Sequence, residues 1–273
     1  MLIKTLVENT SVSQNFDNEH GLSLYIETKK HRILFDVGAS GLFLENAGKM
    51  NVNIANVDFL VISHGHDDHG GGLNLFFQEN SKAKAYLHPQ AFQRCYSLRS
   101  ADNLVPIGLD EGLKQNSRIV FTPDYYSIDK GVWLFSNVSL KEPRPKSNQG
   151  LFTEHGGQIV ADSFAHEQNL VVEEDGKILL VTGCAHNGII NIVEHFYSLK
   201  KRMPDYVIGG FHLSSRVFGN ENSDKIDKIA RHLLGTKAKY YTGHCTGLQP
   251  YERLKLGMGD GIDYLSAGSE ITI

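Results

Sequence analysis

Residues 63–72 read Ser-His-Gly-His-Asp-Asp-His-Gly-Gly-Gly, so His64, His66, Asp67, Asp68 and His69 put five ligand-type side chains into six consecutive positions. Imidazole and carboxylate together suit a borderline divalent ion such as zinc, manganese or iron. A solvated loop has no need of such a concentration. A structural zinc site is usually closed and cysteine-rich. This cluster has no cysteine, which favours an open, reactive site.

An element must present these side chains. Residues 57–62 are apolar and β-branched and read as a buried strand. A His-x-His pair leaving its end in extended geometry turns both rings to one side of the chain. The turn at Gly65 then carries Asp68 and His69 towards the same point or one beside it. Gly70, Gly71 and Gly72 let the backbone pack closely beneath the site, and a helix is expected over residues 71–80.

His64-x-His66-x-Asp68-His69 resembles the HxHxDH signature of the metallo-β-lactamase superfamily. Phe35-Asp36-Val37-Gly38 upstream, with Gly183-Cys184-Ala185-His186 and His244-Cys245-Thr246-Gly247 downstream, extends the likeness. Together these blocks resemble the dihydropterin-ribofuranosylaminobenzene-phosphate synthase-like subgroup. The resemblance implies an α/β fold, an αββα sandwich of two mixed sheets flanked by helices. It also implies one domain over residues 1–273, with the ligands meeting at one edge of the sandwich.

The same resemblance assigns roles. A metal-binding histidine stands just before a hairpin in this superfamily and a bridging aspartate just after it. In that register His166 matches the histidine, and Cys184 stands in the aspartate's place; His155 is the rival to His166. One metal would then take His64, His66 and His166, and a second Asp68, His69 and His244. Cys184 is either a further ligand or a packed, inert thiol, with packing slightly preferred because a soft thiolate replaces a bridging oxygen poorly. If it packs, His186 becomes a ligand or proton donor. Asp36 either orients a ligand or caps a turn. His20 faces substrate or sits in a surface turn, and His212 is a substrate-binding or acid–base residue.

Two metals in such a site lower the pKa of a water and stabilise a developing oxyanion. The expected activity is therefore hydrolysis of a small, anionic ester or related substrate, with zinc the leading metal and manganese or iron the alternatives. Asp68, His186 and His212 are the catalytic candidates. Arg144 and Lys146, in a proline-bearing loop over residues 141–148, are candidates for pairing with a phosphate or carboxylate. The bond-forming chemistry of the subgroup's name is the first alternative. A di-metal redox role is the second, although no flavin-type domain follows.

Composition narrows the rest. A net charge of −4 argues against a general nucleic-acid binder. The three cysteines, Cys95, Cys184 and Cys245, are odd in number and widely spaced. That suggests no disulfide framework and points to a reducing, cytoplasmic interior. The N-terminus does not read as a signal peptide, and no apolar run reaches membrane-spanning length, so a small-molecule partner is expected rather than a membrane.

The remaining elements follow from pattern. Strands are expected over residues 2–7, 22–28, 31–36, 83–88, 118–123, 132–135, 206–213 and 238–242, and one more over 264–273. A hairpin is expected over 169–181, turning at Asp175-Gly176. Helices are expected over 42–50, 89–98, 187–201 and 224–234. Residues 100–117 read as loops and short helix near the mouth of the site.

Overall fold

A computed structural model describes residues 1–100 and 103–273. Two seven-stranded mixed sheets form its centre. The first runs Glu270–Thr272, Leu2–Val7, Ser23–Glu27, Arg32–Phe35, Phe59–Val61, Lys84–Leu87, Ile119–Phe121. The second runs Ile262–Tyr264, Lys239–Thr242, Tyr206–Ile208, Lys177–Val181, Asn169–Glu174, Val132–Phe135, Tyr125–Asp129.

The period-2 alternation of these strands explains the layering. Ile33 and Phe35 point between the sheets, where they meet Leu134, Leu170, Leu179 and Val181. Leu34, between them in sequence, points outward into a core with Phe43 and Phe76 from the helices Leu42–Lys49 and Leu73–Glu79. Leu180 likewise points out of the second sheet, towards the helices Ile189–Lys200 and Ser223–Gly235. Ile192, Val193 and Phe196 of the first of these helices are buried there, as their spacing predicts. The expected αββα sandwich is the observed architecture.

Several segments differ from expectation, among them the helix Leu248–Met258, which no pattern reading gave. Over residues 89–98, where pattern predicts a helix, a turn leads instead into a strand at Cys95–Ser100. That strand pairs with Asn103–Pro106 on one side and with Leu151–Thr153 on the other, and these pairings override local helical propensity. With Gln158–Ala161 they make a four-stranded sheet over one end of the sandwich. Residues 100–117 therefore carry a strand as well as a short helical turn at Glu111–Gln115; positions 101 and 102 lie outside the described residues. The C-terminal segment holds two strands, one on each sheet, rather than one.

The strands that carry the site run parallel in the middle of each sheet. Their carboxyl ends all open on one edge, the usual place for a site in such a sheet. Four non-glycine residues just past those ends have left-handed backbone: Asp36, Ala185, His212 and His244, with φ of 58°, 53°, 50° and 50°. Strained backbone at strand ends is tolerated where surrounding contacts hold it, and it concentrates at functional sites.

Candidate metal centre

Four histidines come together at this edge, and each is anchored by the same ring nitrogen. His69 Nδ1 lies 2.6 Å from Asp36 Oδ2. His64 Nδ1 lies 2.8 Å from Ser63 Oγ, whose own proton goes to Asp36 Oδ2. His244 Nδ1 lies 2.8 Å from Asn9 Oδ1, and His186 Nδ1 lies 3.0 Å from Asn148 Oδ1. Every one of these partners accepts, so each Nδ1 carries a proton and each Nε2 faces inward as the nitrogen available to a ligand bond.

Those nitrogens converge. His64 Nε2 is 3.3 Å from His186 Nε2, and His69 Nε2 is 3.2 Å from His244 Nε2. Cys184 Sγ is 3.1 Å from His69 Nε2, and Asp68 Oδ2 is 3.2 Å from His244 Nε2. Buried imidazole nitrogens aimed at one another need a proton or a metal ion between them, and the donor set fits a divalent metal. His64, His66 and His186 form one group of ligand atoms within 4.8 Å of one another. Cys184 belongs to such groups with His64 and His69, with His186 and His212, and with His244 and Cys245.

Electrostatics agree. Burial pushes the Cys184 thiol well above its ordinary range, so a thiolate here needs a neighbouring cation. Burial also disfavours charge on His244, but the Cys245 sulfur and the Asp68 carboxylate outweigh it and lift the imidazole to about 9. Positive charge is thus favoured at the nitrogen that faces the cluster, and a metal would take the proton's place.

His166 lies beside His66, held at both ring nitrogens. Its Nδ1 accepts the backbone N–H of Gly65 at 3.0 Å, and its Nε2 faces Asp162 Oδ2 at 3.1 Å. In this state the Nε2 proton points to the Asp162 carboxylate, and His166 belongs with His66, Cys95 and Asp162 to a further group of candidate ligand atoms within 4.8 Å of one another. His186 is grouped with His64 and His66. The rival His155 is exposed in the hairpin of Leu151–His155 and Gln158–Ala161. His66 completes the motif and its Nε2 is buried without a partner.

The supporting residues are now clear. Asp36 is fully buried, and its carboxylate receives the Ser63 N–H and Oγ–H as well as His69, so it fixes the orientation of the His69 ring. His20 accepts from Asn9 Nδ2 at its Nδ1 and sets its Nε2 3.3 Å from Asp68 Oδ2. Burial and the neighbouring His244 lower His20 to about 4, so at neutral pH it is an uncharged donor to Asp68. Two buried carboxylates that sequence reading passed over pin the ligand turns. Glu167 accepts from the N–H groups of His186 and Asn187, and Glu8 accepts from the N–H of His244. No local pattern marks Glu8 or Glu167, although each stands close in sequence to a block already singled out.

The centre lies at the floor of a cavity of about 280 Å³. His66, Asp68, Cys184, His186, His212 and His244 line it, and His20 borders it. Both ring nitrogens of His212 are buried without a partner, and its ring lies 4.2 Å from that of His186. Arg144 and Lys146 do not line the cavity. Arg144 is held by Asn187 Oδ1 and the Ser163 carbonyl, and Lys146 is exposed.

An αββα sandwich with imidazole, thiol and carboxylate ligands at the strand ends defines a metal-binding protein of a known class. Residues 17–210 match the model of the metallo-beta-lactamase superfamily, and the chain belongs to that superfamily. It is 29% identical to the 7,8-dihydropterin-6-methyl-4-(beta-D-ribofuranosyl)-aminobenzene-5'-phosphate synthase of Methanocaldococcus jannaschii, over 98% of this chain and 95% of that one. An uncharacterized protein of the same organism is 30% identical, over 93% of each chain. A crystal structure described as a metal-dependent hydrolase of the beta-lactamase superfamily superposes with a TM-score of 0.83 at 29% identity, covering 100% of this chain and 99% of that one. Among the described residues, no helix is long and apolar enough to cross a membrane.

Proposed function

We propose that the protein is a metal-dependent hydrolase that binds two divalent ions, zinc foremost, and acts on a small anionic ester or related substrate. The observation that carries this reading is the convergence of four Nε2 nitrogens, Cys184 and Asp68 at the floor of an open cavity. One ion would be held by His64, His66 and His186, and the other by Asp68, His69 and His244, with Cys184 within reach of both sets. Such ions supply Lewis acidity and make water a nucleophile at neutral pH.

The chain's own residues supply orientation and proton handling. Asp68 is positioned by His20 and His244, which leaves its carboxylate fixed over the cavity floor. His212, with two unpaired ring nitrogens beside His186, is positioned to give a proton to a leaving group. Asp36, Asn9 and Asn148 hold the rings of His69, His244 and His186 in the tautomer that faces inward. Three buried free thiols suit a reducing compartment, and we take the protein to be cytoplasmic.

A panel of phosphoesters, lactones and carboxylic esters, run on zinc-, manganese- and iron-loaded protein, tests the proposal. Hydrolysis of at least one class, abolished by chelation and restored by metal, is expected. The printed name of the Methanocaldococcus jannaschii relative favours a second reading, bond formation rather than cleavage. Inactivity across the panel, with metal bound, would favour it.

A further inference from the structure

The cavity has walls that the metal centre does not explain. Leu98, Ile107, Leu151 and Val217 make them apolar, while Arg99 and Arg216 stand at the rim. The two arginines come from different elements: Arg99 from the strand Cys95–Ser100, and Arg216 from the turn between Ser214–Ser215 and Gly219–Asn220. Both are exposed. Among the described residues neither forms an ion pair, even with Asp67, which lines the same cavity. Arg94 and Arg253, by contrast, are each fastened to a carboxylate at 2.6–2.7 Å.

An arginine fork at a cavity rim matches the geometry of a phosphate, which accepts two parallel N–H bonds. The apolar walls suit a ring or short hydrocarbon body between rim and floor. From this placement we infer that Arg99 and Arg216 bind a phosphate group on the part of the substrate farthest from the reacting bond. The inference rests on the hydrolase reading only in taking this cavity as the substrate site. It assigns recognition to residues other than Arg144 and Lys146.

The test uses zinc-loaded, full-length protein and phenylphosphonate, a phosphate-like dianion on an aromatic ring that cannot be hydrolysed as an ester. Benzoate and benzyl alcohol serve as the carboxylate and neutral comparisons. Binding of phenylphosphonate is expected to weaken about tenfold in Arg99→Ala and in Arg216→Ala, and about a hundredfold in the double variant. Arg216→Lys should recover part of the loss, because it restores charge without the fork. Benzyl alcohol binding and zinc content should stay unchanged. The inference is overturned if wild-type protein does not bind phenylphosphonate, or if the double variant binds it within about threefold of wild type. An equal loss of benzyl alcohol would show a change of cavity shape and overturn it too. An equal loss of benzoate would mean a general anion site and overturn the assignment to phosphate. None of these readings needs turnover, so an inactive hydrolase panel leaves them intact.

Discussion

The backbone N–H of Gly65 donates to Nδ1 of His166 across 101 residues of chain, at 3.0 Å. The bond ties the loop between His64 and His66 to the segment that precedes the second sheet's hairpin. His166 thereby fixes the angle at which the His-x-His pair leaves its strand, and Asp162 fixes His166 in turn. The expected consequence separates two kinds of histidine. His186→Ala should remove a ligand and reduce bound metal by about one ion per chain. His166→Ala should keep the ions but weaken them by roughly ten- to a hundredfold, the range seen when a supporting partner is lost. Chelator-competition titration measures both, and an unchanged affinity in His186→Ala would return the third position to His166.

Proton and metal compete for His244. Its imidazole, lifted to about 9 by Cys245 and Asp68 against the effect of burial, is protonated below that pH in the metal-free protein. A metal must therefore displace a proton at every pH below about 9. Apparent metal affinity should climb by about tenfold per pH unit on this account between pH 6 and pH 8. Competition titrations across that range check the slope. A flat profile would mean that His244 does not ligate.

Asp68→Asn keeps the shape of the side chain and removes the charge that His20 and His244 face. Turnover on whatever ester the panel identifies should fall by at least about a hundredfold, the scale of a mispositioned nucleophile. His20→Ala should cost less, since the Asp68 carboxylate retains His244. The ratio of the two losses reports whether His20 acts through Asp68; equal losses would give His20 a direct role.

Much of this was legible in the chain before folding. The alternation in Ile33-Leu34-Phe35 and in Leu179-Leu180-Val181 is local, and it sorts side chains to the two faces of a sheet. The cluster His64 to His69 is local too. What was not legible depends on contacts far apart in sequence. His166 and His186 both flank the Asn169–Val181 hairpin, and only the Gly65 and Asn148 bonds tell them apart. Cys95–Ser100 pairs with residues more than fifty positions away, which no local pattern reveals. The left-handed turns at Asp36, Ala185, His212 and His244 are set by the strand ends they close, not by their own propensities.

Gly209 shows how tightly those turns are built. Its φ is 145°, and a Cβ there would stand 2.1 Å from the Thr182 carbonyl oxygen. Gly209→Ala combines a backbone conformation unsuited to a side chain with a collision against a neighbouring strand end. The cost should be about 2–4 kcal/mol of stability, read as a lowered denaturation midpoint. Gly235 has open space around its Cβ position and no positive φ. Gly235→Ala is the control and should not destabilise.

Cys184 carries the last prediction. The residue type alone favours packing, because a soft sulfur replaces a bridging oxygen poorly among harder ligands. Its placement argues the other way. Sγ lies 3.1 Å from Nε2 of His69 and within 4.8 Å of the ligand atoms of His64, His186, His212 and His244. Burial alone would keep the thiol protonated, so thiolate character here must come from a bound cation. With Cys95→Ser and Cys245→Ser in the background, only Cys184 reports to a thiol reagent. Labelling should be slow in the metal-loaded protein and rise sharply on chelation, while far-UV circular dichroism stays unchanged. Cobalt-loaded protein should in addition lose its thiolate charge-transfer absorption in Cys184→Ser. Equal labelling with and without metal, together with an unaltered cobalt spectrum, would return Cys184 to the packing role and leave the site to its histidines and Asp68.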